Sequence, residues 1–214
     1  MGTRIIIARH GNTFDRGQTP VRVGLKTDIP LASIGVEQAV ILGKYMKMFE
    51  IKPAIVFSGE LRRTFETANI ALRESGVNCA VEKLDIFNEV DYGEDEGKTE
   101  EELVERIGIE ALELWNSSAI IPKGWIFDTK VAIANWQRFA TMVEEKYLGK
   151  TVMVFTSNGI ARFAPYITGD FEKFSKEFNI KMSTGALSIF EKVSGEQSWN
   201  VIEWNLKPKD HVTL

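Results

Sequence analysis

The chain carries 26 Lys and Arg against 30 Asp and Glu over 214 residues, a formal charge of -4, and its basic residues form no stripe, which excludes a nucleic-acid-binding surface. With 44% hydrophobic residues the length supports one well-buried core, so residues 1–214 are expected to form a single domain with at most a modest inserted cap. No apolar run is long enough for a membrane span or a signal-peptide core, and the single cysteine, Cys79, has no disulfide partner and reads as a small buried hydrophobe, so the expected setting is soluble and cytoplasmic.

Ile5-Ile6-Ile7-Ala8 is too short an apolar run for anything but a buried strand, and it leads directly into Arg9-His10-Gly11-Asn12-Thr13. The carboxyl end of such a strand opens into the crevice where α/β proteins bind ligands. Phe14 to Pro30, with Gly17 and Gly24, reads as a loop able to lie over that mouth. Ser33 is expected to cap a helix whose apolar face is Val36, Ala39, Val40, Met46 and Phe49, with Gly43 on the same side. After Pro53 comes a second buried strand, Ala54-Ile55-Val56-Phe57, and Ser58 to Ala68 begins a second helix. A third strand is expected around Val81 to Leu84. It is followed by an acidic, glycine-punctuated segment from Glu89 to Glu105, in which Thr99 and Glu102 have the spacing of a capping box. Helices are expected over about residues 100–116 and 128–148, and residues 89–127 read as a cap beside the site. Thr151 to Thr156 is another clear strand and ends in Ser157-Asn158-Gly159. Ala186 to Glu191 and Trp199 to Trp204 read as a hairpin around Ser194-Gly195-Glu196. The expected fold class is α/β, a mainly parallel central sheet with helices on both faces and antiparallel strands added by the closing hairpin.

A lone histidine at a strand end is more often a hydrogen-bonded structural residue than a nucleophile. Here, however, three strand ends deliver Arg9 and His10, then Arg63, then Ser157-Asn158-Gly159, with Glu89 in an acidic loop between them. Two arginines and loop N–H groups suit the oxygens of a phosphate, and His10 suits in-line attack on its phosphorus. On the residues alone, Glu89 reads first as one more solvated carboxylate.

These residues fall into four ordered motifs. Arg-His-Gly-Asn-Thr is Arg9 to Thr13. Asp-x-Pro-Leu, then Gly and Gln-Ala, is Asp28 to Leu31, Gly35 and Gln38-Ala39. Ser-x-x-Leu-x-Arg, then Glu-Thr-Ala, is Ser58, Leu61, Arg63 and Glu66-Thr67-Ala68. Glu-x-x-Tyr-Gly, then Glu-Gly, is Glu89, Tyr92-Gly93 and Glu96-Gly97. Over nearly its whole length the sequence resembles the histidine phosphatase superfamily, the group that includes cofactor-dependent phosphoglycerate mutases. The resemblance implies a phosphoglycerate mutase-like fold in which His10 takes the phosphoryl group and Glu89 protonates the leaving oxygen and then activates water. It implies a phosphate held by Arg9, Arg63, Asn12, Asn158 and Gly159, without metal or cofactor, and a small phosphorylated metabolite as partner. It allows a homodimer.

The sequence departs from the family pattern at three places. Asn158 stands where the family carries a second histidine, and it brings a hydrogen-bond donor without the charge. Losing a transition-state donor outright costs about 3–4 kcal/mol, and exchange for another donor costs less. Arg16 replaces an asparagine that often follows the opening motif, and Trp125, in Gly124-Trp125-Ile126, replaces the glutamate of a Gly-Glu-Ser, so both are expected to shape the substrate pocket. Glu89-Val90-Asp91-Tyr92-Gly93 lacks the Arg-His of the mutase-type motif, which favours hydrolysis. The expected function is a phosphomonoester hydrolase working through a phosphohistidine. The alternatives are a degenerate member that binds a phosphorylated ligand or partner without turnover, and a phosphoglycerate mutase.

Overall fold

Alternation along β1 (Thr3–Arg9) sends Ile5 and Ile7 into one apolar core and Ile6 and Ala8 into another, so this strand is buried on both faces. The computed structural model describes residues 2–212. Around β1 it builds a six-stranded sheet with β2 (Ile55–Ser58), β3 (Val81–Lys83), β4 (Thr151–Thr156), β5 (Leu187–Lys192) and β6 (Asn200–Leu206), in the order β3-β2-β4-β1-β5-β6. The pairs β3–β2, β2–β4 and β4–β1 are parallel, while β1–β5 and β5–β6 are antiparallel. The expected α/β class, with a closing antiparallel hairpin on a mainly parallel sheet, is the fold observed.

Helices α1 (Ser33–Met48) and α2 (Arg62–Ser75) cover one face through Leu42, Met46, Ala68, Ala71 and Leu72. Their close approach needs Gly43, where a Cβ would press on the Ala71 backbone and Glu74. The other face carries α5 (Thr129–Lys146) through Trp136, Phe139, Ala140 and Val143. Each such buried large side chain contributes about 1.5–3 kcal/mol. On this side also lie α3 (Glu100–Ile107), α4 (Ile109–Ser118), α6 (Asn158–Ala161) and α7 (Phe171–Glu177). Among the described residues no helix is long and apolar enough to cross a membrane.

Several local expectations are corrected. Ser33 is the first residue of α1 rather than its cap, and the Asp15 carboxylate accepts from the Ile34 N–H at 3.2 Å in its place. Val36 and Phe49, expected on the buried face, are exposed, because α1 turns Ala39, Leu42, Gly43, Tyr45 and Met46 inward. The single helix expected over about residues 100–116 is two, broken at Gly108, whose φ of 82° lies in the left-handed region. Cys79 is half-buried at the edge of the α1/α2 core rather than inside it. The Thr99–Glu102 capping box forms as expected.

Candidate active site

The motif residues build the frame of the site before they offer any chemistry. Gly11 and Gly35 bring the turn after β1 against the start of α1 so tightly that a Cβ on either would strike the other segment's backbone. The Gly11 N–H donates to Thr67 Oγ1 at 3.1 Å, and that hydroxyl donates to the Arg63 carbonyl at 2.6 Å, which ties the turn to α2. Gln38 accepts from the Asn12 N–H at 2.8 Å and donates to Thr184 Oγ1 at 3.2 Å. Asp28 accepts from the Arg62 N–H at 2.7 Å and so caps the first turn of α2.

Within this frame Arg9, His10, Asn12, Arg16, Glu89 and Asn158 line one cavity of ≈ 710 Å³. Its outer wall is the loop anticipated over the mouth, from Phe14 to Val23, joined by Tyr92, Lys98, Glu100 and Thr184. His10 is buried, and its Nδ1–H donates to the Gly11 carbonyl at 2.7 Å, which leaves Nε2 with the lone pair. Burial, then the nearby Arg63 and Arg9, holds its pKa well below the usual histidine value. The ring is therefore neutral and nucleophilic.

A stability effect follows. The unfolded chain protonates this ring below about pH 6.5 while the folded chain does not, so the unfolded state binds more protons in that window and stability falls as pH drops through it. Urea unfolding across this range should show wild type losing stability relative to His10→Gln as the pH is lowered. A pH-independent difference between the two would contradict it.

The two arginines are held differently. Arg9 Nη1 donates to the Met182 carbonyl at 2.5 Å. Arg63 is 0% exposed, with Nη1 on the Thr27 carbonyl at 2.7 Å and Nη2 on the Gly24 carbonyl at 3.1 Å. Burial lowers both pKa values, partly offset by Glu89 nearby. The Nε of each guanidinium is buried with no hydrogen-bond partner among the described residues, a state that costs about 1–3 kcal/mol per group unless a ligand supplies the acceptor. Glu89 is buried beside them and accepts from the Val90 N–H at 2.9 Å and the Gly159 N–H at 3.2 Å. A Cβ at position 159 would run into that carboxylate, so Gly159 sets where Glu89 lies. The Asn158 amide oxygen accepts from the Met182 N–H at 2.9 Å.

Trp125, expected to shape the substrate pocket, lies outside it. It is 7% exposed and sits in the core against Tyr92 and Trp115, its indole N–H on the buried Asp95 at 2.8 Å, and it does not line the cavity. Two cavity-lining residues touch it, Tyr92 and Arg22, the guanidinium of Arg22 lying 5.2 Å from the Tyr92 ring centre and 5.5 Å from that of Trp125. Arg16 does line the cavity, at the exposed rim. Asp95 also holds Arg106, so much of the acidity in this segment is structural.

Arg162 was missed. It is 1% exposed, lies 3.7 Å over Trp115, and donates to the Trp115 and Asn158 carbonyls. Burial pushes it down to about 10, still protonated near neutrality. An arginine inside the apolar run Ile160-Ala161-Arg162-Phe163-Ala164 was the available signal. Burial, then Glu89, raises Tyr92, so its phenol keeps its proton.

A family model described as "Histidine phosphatase superfamily (branch 1)" matches residues 5–207. The chain belongs to that superfamily. Among superfamily relatives, the 2,3-bisphosphoglycerate-dependent phosphoglycerate mutase of Streptococcus mutans is 30% identical over 141 residues, which are 65% of this chain and 60% of that protein. The match thus spans less than two thirds of that relative's length. The fold is similar to a mycobacterial glucosyl-3-phosphoglycerate phosphatase, with a TM-score of 0.78 at 19% identity over 96% of this chain and 100% of the other. It is also similar to Bacillus stearothermophilus YhfR, with a TM-score of 0.74 at 19% identity over 95% and 97%.

Proposed function

We propose that this histidine phosphatase superfamily member is a phosphomonoester hydrolase acting on a small phosphorylated metabolite through a phosphohistidine. The observation that carries this is the His10 tautomer, with Nδ1–H on the Gly11 carbonyl and Nε2 free, in a cavity shared with Glu89 and Arg9. Nε2 attacks phosphorus as the ester P–O bond breaks, and the leaving oxygen takes a proton from the Glu89 carboxylic acid. The Glu89 carboxylate then takes a proton from water, the water oxygen attacks phosphorus, and the P–N bond breaks to return neutral His10. Arg9 and Arg63 offset the charge on the equatorial oxygens, and Asn158, Asn12 and the loop N–H groups orient them. The cavity, ≈ 710 Å³, has the size of a small-molecule site. The mycobacterial phosphatase of similar fold has been solved with inorganic phosphate.

The decisive assay is phosphate release across a panel of phosphorylated metabolites and an aryl phosphate, with a metal chelator present. Chelator-resistant release from at least one compound is expected. Binding of phosphorylated compounds without release would support a non-catalytic role instead. The match to a phosphoglycerate mutase keeps a second reading open, and interconversion of phosphoglycerates without net phosphate release would favour it. Against it, Asp91, inside the altered motif, is occupied by Lys26 Nζ at 2.8 Å and by the Gly93 N–H at 2.9 Å.

A further inference from the structure

Ser157 holds the N-cap position of α6, where a serine hydroxyl ordinarily accepts from the second or third backbone N–H of the helix. It makes no such bond. The Gly159 N–H goes to the Glu89 carboxylate, and Ser157 Oγ, in a residue that is 0% exposed, finds no hydrogen-bond partner among the described residues. One residue earlier, Thr156 is paired with Arg9 across the β1–β4 ladder, and the His10 N–H donates to the Thr156 carbonyl at 3.1 Å. Ser157 and His10 therefore stand at matching places on adjacent strand ends. Alternation sets their direction: the Thr156 hydroxyl donates at 2.8 Å to the Phe87 carbonyl on the α5 side, so the next residue turns to the α2 side, which carries Arg63.

We propose that Ser157 is a phosphate-binding residue of this site, its hydroxyl donating to a nonbridging oxygen of the phosphoryl group attacked by His10. The proposal rests on the phosphoryl-transfer function above. Among the described residues three buried side-chain donors lack partners, Ser157 Oγ, Arg9 Nε and Arg63 Nε, and a phosphoryl group brings three acceptor oxygens. The hydroxyl makes and breaks no covalent bond. Its hydrogen bond strengthens as charge gathers on those oxygens in the transition state. The neighbouring Asn158 has committed its amide oxygen to the Met182 N–H and can offer the phosphate only its NH2 group, so the two adjacent residues supply two neutral donors.

The test compares wild type with Ser157→Ala and Ser157→Cys in three measurements: aryl phosphate hydrolysis, calorimetric binding of orthovanadate, and thermal unfolding with and without inorganic phosphate. Ser157→Ala should lower kcat/KM about tenfold to a hundredfold and weaken orthovanadate by a similar factor. Its ligand-free melting temperature should hold or rise, since an unpartnered buried hydroxyl has been removed. Ser157→Cys, close in size and a weak donor, should fall between. An alanine variant equal to wild type in both activity and orthovanadate binding overturns the proposal. So does one that loses ligand-free stability yet keeps the full phosphate-induced rise in melting temperature, which marks a structural role. Wild type that neither hydrolyses nor binds orthovanadate overturns the phosphatase function and this proposal together, whereas an active wild type with an indifferent alanine variant removes Ser157 alone.

Discussion

Replacing His10 with alanine is expected to reduce phosphate release by about 10⁴–10⁶-fold, the range seen when a covalent nucleophile is deleted. The size follows from what is lost. His10 is the proposed nucleophile, a neutral ring in the cavity with its tautomer set by the Gly11 carbonyl and its proton affinity depressed by burial and two guanidinium groups. Wild type incubated with a labelled substrate and quenched in base should carry an acid-labile label, and the alanine variant should carry none. A variant that still releases phosphate at a comparable rate would mean that water attacks directly, and the phosphohistidine route would be lost. Because Arg9 and Arg63 are held by carbonyls of Met182, Thr27 and Gly24 rather than by His10, the variant should still bind inorganic phosphate.

The second large effect belongs to Glu89→Gln. General acid catalysis contributes about 10²–10⁴-fold, and the loss should scale with how badly the leaving oxygen needs a proton. Alkyl phosphates should lose most of that factor, while an aryl phosphate with an acidic phenol should lose far less. The readout is the slope of log kcat/KM against leaving-group pKa, which should steepen in the variant. An equal loss for all leaving groups would assign Glu89 to positioning alone. The Glu89 oxygens accept from the Val90 and Gly159 N–H groups, and a glutamine places an NH2 against one of them, so thermal unfolding of the variant serves as the control.

The strands and the proposed reacting groups are legible in the sequence for different reasons. Short apolar runs such as Ile5 to Ala8 and Val152 to Phe155 have both faces buried, and that burial is written in consecutive residues. Arg9, His10 and Glu89 could be read because they lie in spaced motifs, and the cavity brings them together. Ser33 was misread because a capping residue is chosen by backbone geometry, and here a carboxylate from Asp15, across a loop, reaches the helix start first. Gly108 was passed over because the periodicity of the two helices continues across it, while only its left-handed backbone separates them. Trp125 looked like a pocket residue because an aromatic in a glycine-containing loop has no local signal of burial. Its indole finds Asp95, thirty positions away, once the chain has folded. Arg22 and Arg162 depend on the same kind of long-range meeting, with Tyr92 and Trp115.

The way Arg63 is held bears on how such a site can change over generations. Its two terminal nitrogens rest on the backbone carbonyls of Thr27 and Gly24, at the far end of the loop whose earlier part, Phe14 to Val23, faces the cavity. The anchor does not involve the cavity-facing side chains, so these residues can be exchanged without displacing the guanidinium. The loop thus divides into a segment free to acquire new specificities and a segment that keeps the charge in place while it does so.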